Sequence, residues 1–574
     1  MPIIDKYRIR ALFCAVAVLL CELIARPFAE MGIGDDGPYV LMAKTLAATG
    51  HIAYNGGEAA MVLFQQYLGV AFIKLFGFSF TSARMSTLFV AMVLAFLLQR
   101  TLVRFGITER NATIGTLSLV LSPLFLLLSV TFMSDISGLF AIVLCLYSCL
   151  RALQASTDRY AIGWLCFAVV TNIICGTSRQ VAWLGILLMV PATIWLLRSR
   201  PRVVASGVLA TVAGTISILA CIHWLSRQPY NIPVPLFASN FPVLHIAAQF
   251  LSLLLDLPFL LLPIFLAFLP ELRKCRPRRI LLLSAATLVY LLLAIHSHSA
   301  TRMLEPTSGD SGGWIGTHGV CDAIGIRGGL PRFLPLPLQV LLTVACLGAL
   351  AGLFASLLRK RRNLSAPAPP ISPSWKQLAL LFAPFPFVYA MTLIGLAGTT
   401  HTLYDRYALG LLIAALPCLI RFYQEQISFR LPAVTILLIP VMAFYGIVET
   451  HNTFALERGR VALNAELSAQ GIPDTSVDNG WDGNFDTELE YANHINDPRL
   501  KIPANAYTSG LSQPPGSCDM FWYDRTPHVH PLYSISSDPD AASGLAPLAP
   551  VHYSRWPRAP GTLYVVRCTP PPES

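Results

Sequence analysis

Charge is what this sequence has least of. Only 13% of its 574 residues are Asp, Glu, Lys or Arg, whereas a soluble globular chain carries about 25% to keep its surface in water. That shortage excludes an ordinary soluble protein. The 55% hydrophobic content and mean hydropathy of +0.59 exclude a disordered, collagenous or coiled-coil chain. Metal-binding cysteine patterns are also missing: there are 13 cysteines but no Cys-x-x-Cys and no Cys/His cluster at zinc spacing. The net charge of +10 is scattered in short clusters, so it leaves no nucleic-acid footprint. What the chain does hold is apolar runs divided by small basic clusters, the pattern of a polytopic α-helical membrane protein.

A spanning helix needs roughly 20 mostly apolar residues. Thirteen segments meet that need, near 11–29, 85–103, 112–128, 138–153, 160–176, 181–197, 203–224, 246–270, 280–297, 336–358, 377–397, 407–420 and 431–450. Lys6, Arg8 and Arg10 precede the first and favour a cytoplasmic N-terminus. Alternation then places 23 of the Lys and Arg residues up to 450 inside and 10 outside, which is the positive-inside bias. Residues 61–78 are apolar as well, but Gln65, Gln66 and Lys74 argue for a helix lying in the interface. Residues 30–84 therefore read as one outer loop with interfacial helices. The first span resembles a signal peptide but lacks a small-residue cleavage site, so an uncleaved anchor is expected. The expected organisation is a membrane domain over 1–450 and a soluble extracytoplasmic domain, α/β or α+β, over 451–574. Cys518 and Cys568 lie in that second domain, where a disulfide is permitted.

Acids at a membrane boundary are costly unless paired, solvated or used. The first outer loop opens with Gly34–Asp35–Asp36–Gly37–Pro38–Tyr39. Helix capping is one explanation of its aspartates, and a general base acting on an acceptor is the other. Asp135 in the second outer loop shares their face, either as a solvated aspartate or as a third functional acid. Arg179 and Arg406 stand at outer ends against the orientation bias, so something anionic holds them: a headgroup, an internal carboxylate such as Asp405, or a bound phosphate. His223, His296, His298 and Arg302 are further outer-face candidates. Asp256, near Pro258 and Pro263, marks a break between an interfacial helix and a span. Acids and arginines on one outer face, next to lipid, suit attack on a phosphate-linked group that a lipid carries. The rival class is a transporter or flippase of a lipid-linked saccharide. Such proteins keep ionisable groups near the midplane and often have two related halves, whereas here the charges gather at outer ends.

The motif Asp35–Asp36–x–x–Tyr39, followed by Ala43, Leu46 and Gly50, resembles the first outer loop of GT-C glycosyltransferases. It is most similar to the aminoarabinose transferase and protein O-mannosyltransferase-like branch. Leu75–Phe76–Gly77 with Arg84, Ser122–Pro123 with Met133–Ser134–Asp135, Arg179–Gln180, Arg406–Tyr407, and Gly471–Ile472–Pro473 with Asp478–Gly483 also look like that branch. The resemblance implies an inverting transfer of sugar from a polyprenyl-phosphate donor to a glycan, lipid or protein acceptor outside the cytoplasmic membrane. It implies Asp35 as the base, with Asp36 in place of the branch's usual glutamate and Asp135 as the acid of the second loop. Arg406, Arg179 and Tyr407 are the expected donor-phosphate residues, while Tyr39 and Trp481 are expected to contact sugar or acceptor. Some members hold a divalent cation between such acids; this branch often does not, so no essential metal is expected.

Overall fold

The computed structural model describes residues 6–233, 242–296, 304–307, 313–320, 325–330, 332–359, 372–399, 403–520 and 522–568. His298 and Arg302 lie outside the described residues. The helices in chain order are α1 (Lys6–Ala25), α2 (Asp36–Thr49), α3 (Leu63–Phe76), α4 (Phe80–Arg104), α5 (Glu109–Val120), α6 (Pro123–Ser129), α7 (Ser134–Leu153) and α8 (Asp158–Gly176). They continue with α9 (Val190–Leu196), α10 (Pro201–Leu225), α11 (Val243–Leu260), α12 (Leu262–Phe265), α13 (Pro277–His296), α14 (Leu336–Leu357), α15 (Trp375–Phe382), α16 (Pro384–Thr399), α17 (Ala408–Gln426), α18 (Ala433–Ala469) and α19 (Gly480–Ala492).

Every one of the thirteen apolar segments falls on helix, but not every one is a full straight span. Among the described residues, ten helices are long and apolar enough to cross a membrane, or eleven if the bent pair α5–α6 counts as one. That pair turns by 70° where Ser122 precedes Pro123. A residue before proline is pushed out of the helical region, and Ser122 is extended (ψ 151°) while its hydroxyl caps Phe125. The 181–197 segment is similarly broken: a π-helical stretch, Gly185–Met189, runs into Pro191 at the start of α9. Large apolar side chains such as Leu209 and Leu219 on α10, and Leu281 and Leu292 on α13, stand exposed on the outside of the bundle. A face of that kind is stable only against hydrocarbon.

The two ends of the bundle differ. At one end the basic loops pack on each other: Arg104 donates to the Gln154 side chain, Arg200 to Ala155 O, Arg359 to Glu271, and Arg421 to Phe105 O. At the other end lie α2, α3 and the C-terminal region. Helix α3 has 14 residues, about 21 Å at 1.5 Å per residue, short of the roughly 30 Å hydrocarbon layer. Its glutamines serve as tethers: Gln65 donates to Phe132 O and Gln66 to Tyr39 O.

The backbone shows no break at residue 450. Helix α18 runs unbroken for 37 residues from the bundle into the C-terminal region. Besides the short antiparallel pair β1 (Ile315–Gly316) and β2 (Gly319–Val320), there is a sheet against which α18 packs, of strand order β3–β4–β6–β5, where β3 is Val477–Asp478, β4 Tyr533–Ser536, β5 Val551–Tyr553 and β6 Gly561–Arg567. β3 and β4 are parallel and the other pairs antiparallel. Leu456, Leu463 and Leu467 of α18 share one core with Val477, Ile535, Leu563 and Val565. A Cys518–Cys568 disulfide closes the tail against the segment before β4. Segment 495–506 crosses back over the first loop, with Ile495 N donating to Asn55 O (2.9 Å) and Ile502 O accepting from Tyr230 N (2.7 Å). The C-terminal region thus roofs the first loop.

Candidate active site

The first loop divides its two aspartates. Asp36 opens α2 and is sealed, with a fully buried side chain. Its carboxylate accepts from Arg84 Nε (2.8 Å) and Nη2 (2.8 Å), Ile33 N (2.7 Å) and Phe132 N (3.0 Å). Arg84 in turn donates to Ala29 O and Met31 O. Four donors take up a carboxylate's acceptor sites, so Asp36 has no capacity left for a reacting group. In this arrangement Asp36 is a clip that ties the loop's entry to α4 and to the loop before α7.

Asp35 is its opposite. It sits at the N-cap of α2 but makes no side-chain capping bond, so capping does not explain it. Its carboxylate is 41% exposed and meets Arg406 Nη2 at 3.1 Å. Arg406 comes from the one-turn 3₁₀ helix Asp405–Tyr407 ahead of α17, and its side chain is only 9% exposed. Among the described residues its Nε and Nη1 have no hydrogen-bond partner. Buried guanidinium N–H groups without protein partners are expensive, which makes Arg406 a candidate to hold an anion. Asp405, the alternative partner for Arg406, gives its carboxylate to backbone N–H groups instead.

A second ion pair faces the same space. Asp135 in the first turn of α7 pairs with Arg179, and its Oδ2 is buried without a partner. Arg179 lies over the Tyr407 ring (5.0 Å), as does Arg406 (5.7 Å), so one ring serves both guanidiniums. Tyr389 Oη donates to Tyr407 O (2.9 Å) and steadies that residue's backbone. Asp135, Arg179, Arg406 and Tyr389 line a small cleft of about 20 Å³ whose other walls include Leu139, Ile142, Val181 and Leu409. Its lining combines charged side chains with aliphatic ones.

Tyr39 is buried on α2 beside this charge set. Burial, with Asp35 and Glu58 nearby, pushes its hydroxyl pKa up, so it stays a neutral donor. Glu58 is itself pushed up to about 8 by burial. Trp481 is placed elsewhere, in an aromatic group with Phe485 (4.0 Å) and Trp522 (5.5 Å), and it does not line the cleft. The Asp478–Gly483 pattern around it joins β3 to the start of α19: Asp478 accepts from Gly480 N (3.2 Å) and Asn484 (2.8 Å), and Asn479 accepts from the buried Arg460 (3.1 Å). Asp256 is not at a helix break: α11 continues to Leu260, and the buried carboxylate accepts from Thr307 N and Oγ1, each at 2.9 Å. Sequence reasoning missed Tyr389, whose position in an apolar run carries no local signal. It also missed Trp314, which packs on Arg406 at 5.7 Å. Among the described residues no group of three or more His, Cys, Asp or Glu is arranged to hold a metal ion.

No family model and no curated protein matches the chain. Among solved structures it is similar to ArnT from Cupriavidus metallidurans, both in the apo state and bound to undecaprenyl phosphate. Each has a TM-score of 0.41 and 15% identity, over 97% of this chain and 98% of that chain. It is also similar to the S. cerevisiae protein O-mannosyltransferase Pmt1-Pmt2 complex bound to the sugar donor. There the TM-score is 0.31 and the identity 13%, over 38% of this chain and 33% of that chain.

Proposed function

We propose that this chain is an inverting GT-C glycosyltransferase of the cytoplasmic membrane. It would take a sugar from a polyprenyl-phosphate donor and transfer it to an acceptor on the extracytoplasmic face. The carrying observation is Arg406: a buried guanidinium with two nitrogens unpartnered among the described residues, bonded to the half-exposed Asp35, in a cleft lined by both charged and aliphatic side chains. An anionic headgroup on an apolar tail suits both kinds of lining. The first-loop and Arg406–Tyr407 motifs add the family resemblance, and the basic loops gathered at the opposite end support the orientation.

In the proposed reaction the donor phosphate takes the free nitrogens of Arg406, with Arg179 as the second cation. Phosphate binding draws Arg406 from Asp35 and leaves that carboxylate free to accept a proton. Asp35 removes the proton from the acceptor's hydroxyl or amine as that atom bonds to the anomeric carbon. The bond from that carbon to the phosphate oxygen breaks on the opposite face, and polyprenyl phosphate leaves with its charge held by the arginines. The arginines supply the positive charge, so the scheme is written without a metal.

The test uses the full chain in lipid nanodiscs with EDTA present. Undecaprenyl phosphate is the binding probe, and membranes carrying polyprenyl-linked sugars provide transfer. Wild type is expected to bind the lipid and transfer sugar, whereas Arg406→Ala loses binding by about a hundredfold, as for a lost charge-assisted contact. A wild type that fails to bind polyprenyl phosphate, or an Arg406→Ala that binds it normally, ends the proposal.

A further inference from the structure

Asp405 is buried beside Arg406 and does not pair with its guanidinium. Its Oδ1 accepts from Trp314 N (3.0 Å) and from Arg406 N (2.7 Å), and its Oδ2 accepts from Ile315 N (2.7 Å). Trp314 and Ile315 belong to the connection between α13 and α14, some 90 residues away in sequence. Their strand (Ile315–Gly316) forms a two-residue antiparallel pair with Gly319–Val320. The hairpin is pinned on its other side, where Thr317 O accepts from Phe333 N and Leu334 N, each at 2.9 Å, and Phe333 stacks on Tyr445 of α18 at 5.5 Å. The same connection is held earlier, at Thr307, by Asp256 of α11.

This arrangement has one chemical result. The indole of Trp314, only 5% exposed, lies 5.7 Å from the Arg406 guanidinium, and Tyr404 lies 4.7 Å from it. With Tyr407, three aromatic rings thus pack on the guanidinium without using a carboxylate to hold it. A carboxylate that bonded Arg406 directly would consume the N–H groups a phosphate needs. Asp405 spends its lone pairs on backbone N–H groups, that of Arg406 included, so it fixes where Arg406 starts and leaves the guanidinium unsaturated.

We infer that Asp405 is a positioning residue for the donor phosphate, and that the Trp314–Val320 hairpin, which it ties to Arg406, forms a wall of the donor-phosphate site. The inference rests on the proposed polyprenyl-phosphate reading and adds to it two residues and one chain segment. Neither the cleft lining nor the motifs include them. Asp405 touches no substrate and acts through Arg406 and Trp314.

The experiment measures undecaprenyl phosphate binding by the full chain in nanodiscs, with melting followed in parallel, and donor KM and kcat in membranes. Asp405→Asn keeps the side chain's size but leaves one oxygen for three backbone donors. It is expected to weaken lipid binding and raise donor KM by about tenfold, the usual effect of orphaning a buried donor. The change in kcat is expected to stay below about threefold, since Asp35 is untouched. Asp405→Glu is expected to recover part of the affinity, which a purely structural loss would not allow. Trp314→Ala, which leaves the carboxylate in place, is expected to weaken binding several-fold, and Trp314→Phe much less. It decides the matter if Asp405→Asn does not fold. Wild-type binding with unchanged affinity in Asp405→Asn and Trp314→Ala overturns the inference and leaves the donor reading standing. Absence of binding by wild type overturns the donor reading itself.

Discussion

Asp35 and Asp36 are neighbours of identical chemistry with different fates. Asp36 is sealed among four donors, two of them from Arg84. Asp35 has one arginine contact and a half-open carboxylate, and its arginine keeps two nitrogens free. The first pair is complete, so it can hold structure but cannot bind anything further. The second is incomplete, so it can exchange partners. Incompleteness separates a site from a staple, and neither charge nor conformation of the motif shows it. The same contrast divides the outer half of the molecule. Arg460 is satisfied by Glu457 and Asn479 at the junction between α18 and the C-terminal turn, whereas Arg406 waits at the cleft.

The largest effect that would sharpen this comparison is on catalysis. Asp35→Asn is expected to lower transfer by about 10²–10⁴-fold, the range for losing a general base, with melting and polyprenyl-phosphate binding close to wild type. Asp36→Asn should do the reverse, lowering the melting temperature while the protein that remains folded still turns over. If both variants lose activity with melting intact, the division between the two aspartates is wrong. Next in size is the clip itself. Arg84→Met leaves Asp36 buried without its cation, and breaking a buried pair from one side costs about 3–5 kcal/mol. A loss of stability below about 1 kcal/mol in denaturant titration would show that Asp36 tolerates burial without Arg84, and the clip would lose its meaning.

Much of the architecture was legible because lipid leaves a chain few choices. Backbone polar groups must be satisfied within a helix, so apolar runs of about 20 residues report spans directly. Charges at a lipid boundary are costly, so Asp35, Asp135, Arg179 and Arg406 stood out, and they meet around one cleft or next to it. What stayed hidden depends on partners remote in sequence. Arg84, 48 residues from Asp36, decides which aspartate is sealed. Asp405 takes its backbone donors from 90 and 91 residues away. The unbroken passage of α18 across residue 450 was hidden too, because the helix continues while its composition turns polar. The 70° bend at Ser122–Pro123 had a local cause in the proline, but an apolar run of the right length concealed it.

The smallest effect tests whether the sealed region extends to its roof. Asp486 of α19 accepts from Gly32 N at 3.1 Å, and its other oxygen is buried without a partner. A Cβ built on Gly37, the residue after Asp36, would lie 2.5 Å from that oxygen, so the carboxyl packs directly on the first loop. Burial pushes its pKa up to about 7. The folded state therefore holds the proton over a range, from about 4 to 7, where the unfolded chain has released it. Stability then falls as pH rises through that window and levels off above it. Asp486→Asn keeps the acceptor for Gly32 N and removes the proton. Between pH 6 and 7.5, wild type is expected to lose on the order of 1 kcal/mol relative to this variant. Parallel pH profiles would mean that Asp486 is ionised within the fold, with a counter-charge in reach. The roof over Asp36 would then be as open to exchange as the cleft beside Asp35, and saturation would no longer tell the two regions apart.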